Sequence, residues 1–178
     1  MSVHVERLSD PSRGIIAAWP LEAHARVSHP DDLAALEDMA DAAAADFEAR
    51  FNVALLAQAI RETRDRWPHG DVWPLAVVPL LAEADVTVTA GGDPFEGFHI
   101  IRGTRPALIL THRPPPGRLV ATYTAGWPTA AGIPQDVRQG IMDQAALTFD
   151  ARGATDERTR IVSPSFARAA ARLRRVAI

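Results

Sequence analysis

The chain has no cysteine and no lysine among its 178 residues. Without cysteine there is no disulfide framework, no thiolate nucleophile and no cysteine-ligated zinc or iron–sulfur centre. Without lysine, every one of the 19 basic side chains is an arginine. Together with the alanine-rich segments, that bias first marks a GC-rich genome. Its chemical consequence is a supply of planar, bidentate partners for carboxylates. Long apolar runs are missing too: none approaches the roughly 20 residues that a helix needs to span a bilayer. Met1 to Asp10 is charged and lacks the apolar stretch of a secretory signal. The expected address is therefore the cytoplasm, or something assembled there. The net charge is −3, so no global basic field invites nucleic acid.

What is present suits a globular protein of one domain with extensions. Residues 1–18 read as an extended arm broken by the turn chemistry of Ser9 to Gly14. Trp19 to Val27 reads as a short helix over 20–27, with Pro20 at its start. Ser28 to Asp32 breaks the chain. A long helix then covers 31–51, with Leu33, Leu36, Ala40, Ala43, Phe47 and Phe51 recurring on one face. Asp31 and Asp32 sit at its positive end, and Asn52 can close it in a left-handed conformation.

From about 56 to 125 the pattern turns β. Leu55 to Pro68 reads as a polar-faced strand. Asp85 to Ala90 alternates Val and Thr, as half-buried strands do. Further strands follow at Gly97–Gly103, Ala107–His112 and Arg118–Ala125, which together predict a small antiparallel sheet or meander. A helix over 134–152 begins at Pro134 and buries Val137, Ile141, Ala145 and either Thr148 or Phe149, with Gly153 as its terminator. Residues 154–160 form a polar linker. Ser163 and Pro164 then open a last helix, with Phe166, Ala170 and Leu173 on one face and Arg168, Arg172 and Arg175 on another. Helices and strands occur in blocks, so the fold class is α+β: a small helical bundle with an inserted antiparallel sheet and extended terminal segments. The segments are an arm at 1–18, a main domain at 19–153 and a C-terminal segment at 154–178.

No catalytic constellation stands out. His24, His29, Asp31 and Asp32 are the only His–carboxylate cluster, and their spacing matches capping and loop solvation better than a metal site. The acidic run Glu37, Asp38, Asp41, Asp46 and Glu48 reads as a solvated helix face, or as a wall presented to a channel or a basic partner. The glycines of Thr89–Gly92 and Pro114–Gly117 lack the frame of a phosphate loop and read as hairpin turns. There is no nucleophile elbow. No metal and no cofactor is expected. The arginine-rich C-terminus, Arg168, Arg172, Arg174 and Arg175, reads as a solvated helix end, as a docking segment for carboxylates on another chain, or as a contact for DNA phosphates.

Two stretches carry a resemblance. Trp19 to Pro68 holds a short helix ending in His24-Ala25-Arg26-Val27, an acidic loop, a long helix and a polar segment closing on an aromatic–proline pair. Pro115 to Gly153 holds a strand ending Tyr123-Thr124-Ala125-Gly126, then Ile133-Pro134 with Val137 and Ile141, and a helix ending near Phe149 and Arg152. This order resembles tailed-phage head–tail connector, or adaptor, proteins, which also occur in gene transfer agents. The likeness covers about 19–153, and Gly140 departs from it. It implies a structural protein of the virion head–tail junction and no enzyme. It implies a self-assembled ring, usually a dodecamer, beneath the portal protein. That ring would meet a tail-side stopper or terminator protein and let DNA pass without sequence-specific binding. On this reading Arg168, Arg172, Arg174 and Arg175 dock on the portal. Arg138, Gln139 and Gln144 face a neighbouring subunit, and Asp38, Asp41 and Glu48 face the channel. A C-terminal segment with only a docking role predicts that deleting 163–178 leaves the protein folded. The alternatives are a nucleic-acid-binding protein using the arginine tail, or a small cytoplasmic enzyme of unknown type.

Overall fold

A computed structural model describes residues 3–9, 19–68, 70–82, 86–152 and 162–173. The chain divides into two compact units: Met1–Pro11 with Asn52–Pro128, and Ser12–Phe51 with Thr129–Ile178.

The second unit is helical. It contains α1 (Leu21–Ala25), α2 (Pro30–Phe51), α3 (Gln135–Asp150) and α4 (Pro164–Leu173). α1 stops two residues short of the expected end because Arg26 turns left-handed, with φ 56°. Asn52 closes α2 in the same conformation, with φ 52°, as its residue type suggests. α2 buries Leu36, Ala40, Ala43 and Phe47, which the 3.6-residue period places together. Its buried stripe is wider than expected and takes in Ala44 and Glu48. Ala40, Ala44 and Glu48 follow one another at steps of four, so Glu48 belongs to an inner row. α3 buries Val137, Ile141, Ala145 and Phe149, while Thr148 is exposed and bonds back to the Gln144 carbonyl at 2.8 Å.

α4 is part of this core. Phe166, Ala169, Ala170 and Leu173 are buried. The Phe166 ring meets Phe47 edge-on at 5.2 Å and Phe51 at 6.0 Å. Gly140, an unfavourable residue inside α3, has its reason here. A Cβ at that position would lie 3.0 Å from Phe166 Cα and 3.2 Å from Ser165 O. The close approach it permits is to α4 of the same chain. Ser163 caps α4, its Oγ accepting the Phe166 N–H at 3.2 Å. Ser163→Ala is expected to cost about 0.5–2 kcal/mol of stability, read as a lower midpoint in thermal melting followed by circular dichroism.

The first unit holds two antiparallel sheets. The five-stranded sheet has the order β1 (Val3–Arg7), β2 (Gln58–Arg64), β8 (Leu119–Ala125), β4 (Thr87–Ala90), β5 (Asp93–Pro94). The three-stranded sheet runs β3 (Val72–Pro74), β7 (Ala107–Leu110), β6 (Phe98–Ile101). This order is not a meander. β8 buries alternate residues Leu119, Ala121, Tyr123 and Ala125. It is flanked by β2 and β4, which lie far from it in sequence. The described part of the expected arm is a strand in this sheet. Val3 pairs with Arg64 and Arg7 with Ile60, and the Arg7 guanidinium donates to the Val53 carbonyl at 3.0 Å. β8 ends at Gly126, with φ 118°, where a Cβ would fall 2.1 Å from the Leu56 carbonyl oxygen. Only glycine fits that corner. Trp127 and Pro128 then end the unit.

Candidate assembly surfaces

What the charged and polar groups reach decides which of them are open to other molecules. Two buried or half-buried polar networks are closed within their own units. In the β unit, Glu62 is wholly buried on β2. Its Oε1 accepts from Arg64 Nη2 at 2.5 Å, from Arg64 Nε at 2.8 Å and from Trp73 Nε1 at 2.9 Å. Its Oε2 accepts the Ala76 N–H at 3.0 Å. Nearby, the Tyr123 hydroxyl accepts the Val77 N–H at 3.0 Å. Burial pushes the Tyr123 phenol well above its usual pKa, and the Glu62 charge adds to the rise. Every acceptor here is spoken for, so the network specifies structure.

In the helical unit, His24 does not join His29, Asp31 and Asp32. Its Nε2 lies 2.8 Å from Asp143 Oδ1 on α3. His29 meets Asp31 only at 3.9 Å and in solvent. The other Asp143 oxygen accepts from Ser165 Oγ, and Ser165 Oγ lies 2.7 Å from Ser163 Oγ. One carboxylate thus ties α1, α3 and the start of α4. Ser165 contacts the carboxylate, Ser163 contacts Ser165, and neither bonds the imidazole, so the base–nucleophile contact of a hydrolytic triad is absent from this group. No cluster able to hold a metal ion occurs among the described residues. No helix among them is long and apolar enough to cross a membrane.

The residues assigned to partners divide clearly. Asp38 and Asp41 are exposed on α2 and make no ion pair among the described residues, whereas Glu48 is only 4% exposed. Glu48 is therefore no part of a solvent-facing wall. On α3, Gln139 is exposed. Gln144 is occupied within the chain, where its Oε1 accepts the Ser163 N–H at 2.8 Å. Arg138 is half-buried and its Nε is enclosed. Neither has the free position expected of a subunit contact. On α4, Arg168 is exposed without an ion pair among the described residues. Arg172 holds Asp136 of α3 at 2.9 Å, which locks part of its donor fork inside the chain. Arg174, Arg175 and the expected terminator Gly153 lie outside the described residues.

A cleft of about 920 Å3 opens beside Trp67, His112 and the Pro114–Pro116 loop of the β unit. Its charged lining is mixed, with Asp65 and Asp71 beside Arg66 and Arg113. A mixed lining of that kind selects no ligand class.

No family model matches the sequence, and no curated protein does. Solved structures match over the whole chain. A chain from the virion of a native gene transfer agent particle superposes with a TM-score of 0.70 at 20% identity, covering 98% of this chain and 96% of that one. The fold is that of a gene transfer agent particle chain. Chains from two gene transfer agent necks agree. One, from an empty particle computed with C6 symmetry, gives 0.68 at 22% identity over 100% of this chain and 97% of its own. The other, from a native particle computed with C12 symmetry, gives 0.65 at 23% over 95% and 96%. The match to the empty-particle neck chain covers 100% of this chain and so spans the N-terminal strand and α4, which lay outside the sequence resemblance.

Proposed function

We propose that this chain is a structural subunit of the neck of a gene transfer agent or related phage-like particle, placed at the head–tail junction. Copies form a ring beneath the portal, and the ring carries the DNA channel onward to a tail-side stopper or terminator protein. A dodecamer follows from the resemblance and accords with the C12 symmetry of one matched neck. The observation that carries this reading is the match of fold over nearly the full length of both chains, in three particle structures. The closed polar networks are in keeping with it. They leave exposed charge to face other molecules.

Asp38 and Asp41 on α2, Gln139 on α3 and Arg168 and Arg172 on α4 are the partner assignments that are exposed, Arg172 while it holds Asp136. As parts of the proposal, the two carboxylates suit a channel wall that does not grip phosphate, or a cationic protein surface. Arg168 suits an acidic surface on the portal or on a neighbouring copy.

Deleting the gene tests the reading. DNA-filled heads and separate tails, seen by electron microscopy in place of joined particles, are the expected result. Joined, infectious or transducing particles at normal yield would overturn it.

A further inference from the structure

We propose that the acidic outer face of α2 on one copy docks on the arginine-bearing outer face of α4 on the next copy, and that this contact is the seam of the ring. The inference rests on the ring reading and names its partner surface.

The two helices use their inner faces within the chain, where Phe47 and Phe51 of α2 meet Phe166 of α4. Their outer faces have no cover among the described residues. That of α2 carries Glu37, Asp38 and Asp41 beside Ala34, Ala42 and Ala45, all exposed. The three carboxylates lie within one turn and repel one another, since Glu37 and Asp38 stand four and three residues before Asp41. None has a cationic partner among the described residues. The outer face of α4 carries Arg168 and Arg172 beside Ala167 and Ala171, again all exposed. Arg172 keeps about half its side chain in solvent while it holds Asp136.

The two faces match in sign and in build. Alanines between the charges let two helix axes approach to about 8–10 Å. Arginine forks then reach carboxylates across the seam, and the repulsion along α2 is relieved. Because both faces look away from the shared core of one unit, they cannot meet in a single chain. A second copy supplies the missing face. Used once per pair of copies, such a contact is heterologous, and it closes into a ring when the rotation between copies allows. A reciprocal two-fold pairing of the same faces would stop at dimers, which is what a ladder of larger species rules out.

The absence of cysteine makes a clean test possible in the full-length protein. Ala42→Cys and Ala171→Cys are introduced together, which leaves all the charges in place, and the protein is oxidised at high concentration. A ladder of disulfide-linked dimers, trimers and larger species is expected. Arg168→Glu in this background should abolish the ladder, and adding Asp38→Arg with Asp41→Arg should restore it. Circular dichroism checks that each variant keeps its helices. No linked species, a ladder indifferent to Arg168→Glu, or dimers from Ala42→Cys alone would each overturn the contact. Rings seen by electron microscopy in a variant that forms no ladder would overturn this seam and leave the ring reading standing. A charge-dependent ladder with only open chains would keep the seam and overturn the ring reading.

Discussion

Phe166→Ala is expected to destabilise the helical unit by about 3–5 kcal/mol, the range for emptying an aromatic site in a packed core. Phe166 is almost fully buried, and its ring packs against both Phe47 and Phe51, which also meet each other at 5.1 Å. The surroundings cannot collapse easily. Its backbone already packs tightly on Gly140, where a Cβ would lie 3.0 Å from Phe166 Cα, and Ser163 and Ser165 fix the start of the helix through Asp143. Removal of 163–178 takes away the same ring together with Ala169, Ala170 and Leu173. The expectation that such a truncation stays folded is corrected by this packing. Chemical denaturation followed by the helical circular dichroism signal reads the effect. A loss below about 1 kcal/mol would mean that α4 does not share the core.

Glu62→Ala is expected to cost about 3–5 kcal/mol in the β unit, because it strands a buried charge. Arg64 loses its carboxylate while still enclosed, and the Trp73 and Ala76 N–H groups lose their acceptor. Arg64 keeps only a long contact to the Pro74 carbonyl at 3.4 Å and its place over the Trp73 ring. Replacing both partners, as Glu62→Leu with Arg64→Met, should recover the part of the loss that comes from the stranded charge, while the Trp73 and Ala76 N–H groups stay without their acceptor. Urea denaturation of the single and double variants checks this. A single variant as stable as the parent would show that the pair is not enclosed as described.

The parts of the fold legible in the sequence were those with a period. Leu36, Ala40, Ala43 and Phe47 announced α2, and Val137, Ile141 and Ala145 announced α3, because core-facing helices repeat apolar residues every three or four positions. The alternation of β4 and β8 announced strands. Polar residues misled where partners satisfied them inside. Glu48 reads as a wet residue by type and is buried by position. The polar side of β2, Gln58, Glu62 and Arg64, faces the interior because the charges at i and i+2 neutralise each other. Long-range pairs left no local signal at all. His24 finds Asp143 across 119 residues of sequence, and Arg172 finds Asp136 across 36. Those two pairs redirect side chains that spacing alone had grouped with His29 and with the free arginines. Sheet order was hidden for the same reason, since β2 pairs with β8 across five intervening strands, of which β3, β6 and β7 belong to a second sheet.

The central claim is that this chain builds a neck ring between head and tail. Cryo-electron microscopy of the neck of particles from cells that express it tests that claim most directly. The account predicts a closed ring of this chain beneath the portal, with α2 of each copy against α4 of the next. A neck whose density is filled by other chains, with this one absent from the particle, would contradict it.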